Sequence, residues 1–423
     1  MRFFATSVEK NINFSIEHHC PSCGAPVFLD ESDRFFVCPY CRVRSCIAQK
    51  GFGRYFIPPH KDIPKDVDLN FLPYWRFKGV QYACTPAGVD HWFTDVSCLA
   101  LAKVPDRVPF SLGVRSQALK LKRVSARTIG NFLRPSPLKE SLKALSKRSK
   151  SSRALIKEDI GEAVSLIYAP FYLADGQIFD GVLNTSLGKT GAMEELTGKH
   201  CRPEKETQIL SGICPACGWD LEGQSDSLAL ICSNCDSLWQ PRQDSLAQVR
   251  FGSAQPDNLE DVLIPFWKIS ARVQGMVLDT RRDLMQMANL PGAIHPQTGK
   301  SNANQEELNF WAPAFKIRPR VFLRIARQFT IAQPLPTLEK KIRKNTHLPI
   351  TLPASEAIQS IRIILASLAR PLKDHLPPLA KAEIKASAVC LVFMPFESHH
   401  HEFIHRELNL AINTNVLKLS CNL

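Results

Sequence analysis

The sequence predicts an α+β protein of two tandem units, each a four-cysteine ribbon followed by a mixed strand/helix domain. Three observations predict this. Eight cysteines fall into two quartets of matching spacing. A Pro-aromatic-Trp motif, a basic segment and an apolar run follow each quartet in the same order. Continuous apolar runs alternate with stretches of helical periodicity, as in mixed domains. The implied organisation is an N-terminal arm (1–15), a first ribbon (16–50) and a first mixed domain (51–190). A linker (191–210), a second ribbon (211–240) and a second mixed domain (241–423) follow.

The quartets come first in each unit. Cys20-Pro21-Ser22-Cys23 is separated by fourteen residues from Cys38-Pro39-Tyr40-Cys41, and Cys214-Pro215-Ala216-Cys217 by fourteen from Cys232-Ser233-Asn234-Cys235. Two residues between paired cysteines let a tight turn aim both sulfurs inward, and four thiolates make the tetrahedral site of a structural zinc. Gly24 and Gly218 follow the first pair in each quartet. Glycine there permits the left-handed backbone such a turn needs. The sequence therefore calls for two structural zinc ions. With all four positions taken by cysteine, no site is left for a catalytic water. His18 and His19 adjoin the first ligand and are expected at the surface. Cys46, Cys84, Cys98, Cys201, Cys390 and Cys421 lie outside the quartets and read as small buried hydrophobes or free thiols.

The mixed domains come next. Leu72-Pro73-Tyr74-Trp75-Arg76-Phe77 matches Ile264-Pro265-Phe266-Trp267-Lys268-Ile269, and the tryptophans read as core fillers. Leu119 to Arg123 matches Leu323 to Arg327. Ala163 to Phe171 matches Ala388 to Phe396, with Leu183-Asn184 falling opposite Leu408-Asn409. The run Ala163 to Tyr168 is continuously apolar, as a strand buried on both faces should be. Leu138 to Ile156 and Ala357 to Leu368 read as helices. On this alignment the second copy gains 21 residues between its basic segment and its last motif, an insertion that includes the proline-rich run Gln333 to Ser355, expected as an irregular excursion.

Composition sets the class. The chain has 423 residues, 44% hydrophobic and 22% charged, which suits a globular protein. No apolar stretch is long enough to span a membrane, and the N-terminus lacks a secretory signal, so the cytoplasm is the expected compartment. Net charge is +13. Arg115 to Lys157 holds thirteen basic residues against Glu140 alone, and Lys316 to Lys344 holds nine against Glu339 alone. Localised positive charge attracts nucleic acid, anionic lipid or an acidic protein face. Lys120, Lys122 and Arg123, with Arg324 and Arg327 in the second copy, are the candidate anion- or partner-binding residues. Their partial alternation suggests cations on one face of a strand.

Cys20-Pro21-Ser22-Cys23-Gly24 and Cys214-Pro215-Ala216-Cys217-Gly218 resemble the zinc ribbons of transcription factor IIB type. A Pro-aromatic-Trp strand after such a ribbon is similar to a group of largely uncharacterised bacterial proteins, some associated with membrane-stress systems of the phage-shock type. The resemblance implies zinc binding and does not imply transcription.

Two catalytic motifs fail on inspection. His401-Glu402-Phe403-Ile404-His405 fits the zincin pattern, in which two histidines on a helix bind zinc and the glutamate is the general base. Only Glu407 follows as a third acidic ligand, and the duplicate carries Gly176-Gln177-Ile178-Phe179-Asp180 instead. The expected structure there is a polar turn entering a short helix. Gly188-Lys189-Thr190 ends like a phosphate-binding loop, but position 183 is Leu where that loop requires glycine. The leading function is a non-enzymatic zinc-binding adaptor that binds a protein partner or an anionic surface. A nucleic-acid-binding protein is the alternative, and a metal-dependent hydrolase at His401–His405 the third reading.

Overall fold

The computed structural model describes residues 16–48, 51–101, 103, 106–113, 121–124, 128–138, 140–141, 154–189, 208–291, 308–342 and 346–420. The N-terminal arm, most of the linker and Lys120 lie outside these residues. The α+β expectation is corrected to a β-rich fold: twenty-four strands stand against five helices among the described residues. Two causes are visible. The helix expected over Leu138 to Ile156 is described only at its start, and Ile156 itself opens the long strand Ile156–Ala174. The strands Asn70–Thr85, Ile156–Ala174 and Glu383–His399 also run far longer than their apolar motifs suggested.

The tandem arrangement is corrected too. One compact unit comprises the described residues within Met1–Lys78, Asp95–Lys150 and Ala163–Ser211; the other takes those within Gly79–Thr94, Ser151–Glu162 and Gly212–Leu423. The chain therefore passes between units several times, and each ribbon is not simply followed by a helical domain of its own.

In the first unit, Gly53–Phe56 pairs in parallel with Ile156–Ala174 (Tyr55 opposite Ile167) and antiparallel with Leu121–Arg123 (Tyr55 opposite Arg123). The Trp75 strand, Asn70–Thr85, also pairs with Ile156–Ala174. A meander through Gln177–Asp180 and Thr185–Lys189 completes that side, turning at Asn184 with φ +56°. Its core gathers Tyr55, Leu72, Tyr74, Leu121, Ile167 and Phe171. A second cluster packs Trp75, Phe71, Phe132 and Tyr168, with Phe71 and Phe132 stacked at 4.6 Å.

The second unit repeats these pairings. Phe251–Ala254 lies parallel to Glu383–His399 (Ser253 opposite Phe393) and antiparallel to Leu338–Glu339 (Ser253 opposite Glu339). The Trp267 strand, Val262–Gln274, runs antiparallel to Glu383–His399, with Trp267 opposite Leu391. Glu402–His405 and Leu410–Asn413 form the closing meander, which turns at Asn409 with φ +46°. Three helices, Pro319–Ala332, Ala354–Leu368 and Leu372–Lys381, contribute to a larger apolar core around Phe266, Trp311, Phe329 and Ile364.

Hydrogen bonds align the halves more tightly than the motifs do. The Trp75 indole donates to the Ser136 carbonyl at 3.1 Å and the Trp267 indole to that of Leu352 at 2.9 Å. Ala100 donates its N–H to Pro73 O, and Ala314 to Pro265 O. The chain runs 27 positions from Pro73 to Ala100 but 49 from Pro265 to Ala314, while Ala100 to Ser136 and Ala314 to Leu352 take 36 and 38. The extra length of the second half thus follows its Trp strand, where the helix Arg281–Met287 stands, and not the proline-rich run. The same frame sets Lys122 at the position of Glu339, so Leu119–Arg123 and Leu323–Arg327 do not correspond. Leu121–Arg123 is a strand, whereas Arg324 and Arg327 sit on the helix Pro319–Ala332.

Candidate metal centres

Each ribbon is two hairpins carrying one cysteine pair apiece. In the first, Ile16–His19 pairs with Pro26–Leu29 and Phe35–Val37 with Arg44–Ala48. Gln208–Ser211, which precedes the second ribbon in sequence, adds to the first ribbon as a strand against Arg44–Ala48. In the second ribbon, Leu221–Glu222, Leu230–Cys232, Ser237–Arg242 and Ser245–Val249 form an antiparallel sheet.

The turns aim the sulfurs. Gly24 and Gly218 have φ +72° and +74°, and each donates its N–H back to the first cysteine carbonyl, Cys20 or Cys214, at 2.9 Å. The second pairs make the same left-handed step without glycine, at Arg42 (φ +63°) and Asp236 (φ +54°). Arg42 carries no sequence signal for a positive φ, whereas Asp236 belongs to a residue type enriched there and could have been found by it.

All eight predicted ligands converge. The sulfurs of Cys20, Cys23, Cys38 and Cys41 lie within 4.8 Å of one another, as do those of Cys214, Cys217, Cys232 and Cys235. Facing sulfurs are 3.6 and 3.7 Å apart in the first quartet and 3.6 and 3.4 Å in the second. A tetrahedron of thiolates at about 2.3 Å from zinc has edges of about 3.8 Å, so both quartets fit a four-coordinate thiophilic ion. These are the two metal-sized groups of His, Cys, Asp and Glu among the described residues.

Local hydrogen bonds favour thiolates. The backbone N–H of Cys41, helped by that of Tyr40, holds the Cys38 thiol down at about 6 despite burial. Burial opposes ionisation of Cys214, but the Ser237 hydroxyl and the N–H groups of Ala216 and Cys217 outweigh it and bring the thiol to about 6. Cys41 and Cys232 are pushed up to about 12. Burial and sulfur neighbours raise both, against backbone N–H groups that favour the thiolate. Four adjacent sulfurs cannot all ionise without a cation, and a divalent ion removes that conflict. The unpaired cysteines behave differently. Cys46, Cys84 and Cys98 are fully buried, and burial pushes their thiols up to about 12, 12 and 11. They are inert core residues.

The ribbons differ around the quartets. Ser237 Oγ lies 2.9 Å from Cys235 Sγ and accepts the Trp239 indole N–H at 2.7 Å, which leaves its proton for the sulfur. The corresponding positions of the first ribbon are Val43 and Ser45, which supply no such contact. Anchorage differs as well. Glu31, in the first spacer, meets Arg76 at 2.8 Å; Arg76 also makes a two-pronged contact with Asp95, both bonds at 2.8 Å. Arg76 is 2% exposed. The second ribbon is held by apolar packing of Ala229, Ile231 and Leu238 on Leu263, Ile350 and Phe393. The Leu228 N–H adds a bond to Ile350 O.

His19 is exposed as expected, but His18 is buried at 6% exposure, 3.4 Å from an Arg123 guanidinium nitrogen. Burial, then the Arg123 charge, pushes its imidazole down to about 3. Arg123 itself lies over the Tyr55 ring at 5.7 Å, and Lys122 is exposed with its ammonium 3.4 Å from Glu17. Arg324 is exposed and bonded to the Ala411 carbonyl, and Arg327 is half-buried. The structure therefore does not gather Lys122, Arg123, Arg324 and Arg327 on matched strand faces. His401-Glu402-Phe403-Ile404-His405 forms a turn and the strand Glu402–His405, not a helix entry. His405 is buried edge-on to Phe329 and Phe396, which removes the zincin geometry. No helix among the described residues is long and apolar enough to cross a membrane. No family model, curated protein or solved structure matches this chain.

Proposed function

We propose that this protein is a non-enzymatic zinc-binding adaptor whose two ribbons, of transcription-factor-IIB-like type, present contacts to a protein partner. The observation that carries this reading is a pairing of features in each ribbon. The metal quartet is closed by four sulfurs, and a large aromatic beside it faces solvent. Tyr40, within the second cysteine turn of the first ribbon, is 67% exposed, and Trp219, just after the first turn of the second, is 56% exposed. A closed quartet supports a structural ion and leaves no position for substrate. Exposed aromatics on a rigid turn are the residues that anchor protein interfaces.

The recurrent pairings around Trp75 and Trp267 support a duplicated origin, with one ribbon per copy. The test uses full-length protein with its metal retained. Wild type should hold a partner through moderate salt, and the double variant Tyr40→Ala, Trp219→Ala should lose it while keeping both metal ions. Co-purifying nucleic acid released steeply by salt would instead favour the nucleic-acid reading. Retention of the partner by the double variant would defeat the proposed contact.

A further inference from the structure

A second site lies in the Gly212–Leu423 unit, apart from the metals. The helix Pro319–Ala332 buries Phe322, Ile325, Ala326 and Phe329 in the core. Arg320, Arg324 and Arg327 follow one another at i, i+4 and i+7, which stacks them on one helix face over about 10 Å. That face lines an open cavity of about 580 Å³, bordered elsewhere by Arg370, His91 and Ser367. The volume lies within the usual range for small-molecule sites, about 300–1,000 Å³.

The cavity holds an electrostatic conflict. Four guanidinium groups share it with one carboxylate, Asp90. Among the described residues none of the four arginines makes an ion pair with a carboxylate within 4.0 Å. Arg324 and Arg370 each give one N–H to a backbone carbonyl, of Ala411 and Ala369, both at 2.7 Å. The Nε of Arg327 is buried and has no hydrogen-bond partner. Burial, reinforced by the Arg370 charge, disfavours the Arg327 cation. Burial and the Arg320 charge likewise press the His91 imidazole toward its neutral form. Cations held together around a cavity, with a buried donor unmet, are the arrangement an anion resolves.

We propose that this cavity binds a small organic anion carrying two or more phosphates, of the nucleoside di- or triphosphate class. Guanidinium forks match phosphate oxygens in pairs, and several of them match a chain of phosphates better than a single carboxylate. Leu323 and Leu372 supply an apolar wall for the organic part. Concavity favours a compact ligand over a nucleic-acid backbone, which would need an open track. The inference does not depend on the metal reading.

Titration calorimetry of the full-length, metal-loaded chain tests it, with ATP and inorganic tripolyphosphate as probes. Both should bind, ATP more tightly because it also meets the apolar wall, and each should raise the melting temperature. Arg327→Gln should weaken both about ten-fold, the loss of roughly one charge-assisted contact. It should also raise the melting temperature of the ligand-free protein, because a half-buried cation whose buried Nε lacks a partner is removed. Arg320→Gln, at an exposed position, should weaken tripolyphosphate without altering folding. Absence of binding at millimolar probe, or unchanged affinity in both variants, would overturn the proposal. So would single-stranded oligonucleotide binding that tripolyphosphate fails to displace.

Discussion

The two ribbons share cysteine spacing, left-handed turns and sulfur geometry, yet only the first is fastened to the protein through an ion triad. The first is held by the ion triad Glu31–Arg76–Asp95, of which Glu31 and Arg76 are buried, together with the pairing of Ile16 and Leu121, and the second by apolar side chains around Leu238 and Phe393. The metal site is therefore a self-contained local solution, set by a few backbone angles and four sulfurs. Its attachment is a separate problem that each ribbon solves with whatever its spacer supplies. Where the first spacer carries Glu31, the second carries Ser225, and Arg76 gives way to Lys268, whose ammonium lies over the Trp311 ring at 5.8 Å.

The largest effect should come from breaking a quartet. Cys38→Ser or Cys232→Ser should each remove one metal ion and unfold its own ribbon, since metal binding supplies most of a small ribbon's folding free energy. Metal analysis together with hydrogen exchange should show the other ribbon unchanged. Next is the triad. Arg76→Met leaves Glu31 buried beside an apolar side chain and should cost about 3–5 kcal/mol, the usual penalty for removing one partner of a buried ion pair. Denaturant unfolding should register this loss, and metal release under chelator should accelerate at the first ribbon alone. Leu238→Ala should cost about 2–5 kcal/mol by opening a cavity, and release metal from the second ribbon alone. If either variant loosens both ribbons equally, the separation of the two anchorages is wrong.

A smaller effect sharpens the comparison. Ser237→Ala removes the hydroxyl beside Cys235 and the acceptor of the Trp239 indole. It should lower metal affinity of the second ribbon about ten-fold, as loss of a hydrogen bond to a ligand commonly does. In the wild type, chelator should then empty the first ribbon before the second.

The quartets were legible because a ligand turn is written in four consecutive residues and a glycine. The strand at Ala163–Tyr168 and the helix over Ala357–Leu368 were legible for a similar reason, since a continuous apolar run and a helical period each show within one short window. The alignment of basic segments failed because charge is carried equally well by a strand at Lys122–Arg123 and a helix at Arg324–Arg327. Only the hydrogen bonds of Trp75 and Trp267 reveal which positions correspond. Arg76 was hidden for another reason. It sits in an apolar motif, and its partners Glu31 and Asp95 are 45 and 19 residues away. The arginine cavity drew on three residues of the basic segment that charge counting had flagged, Arg320, Arg324 and Arg327. Arg370 and His91 could be joined to them only by the fold.

Metal content per chain tests the central claim most directly. Untagged full-length protein, purified without chelator and analysed by inductively coupled plasma mass spectrometry, should contain two zinc ions per chain. Cys20→Ser and Cys214→Ser should each contain one. One ion or none in the wild type, or iron in place of zinc, would contradict the account.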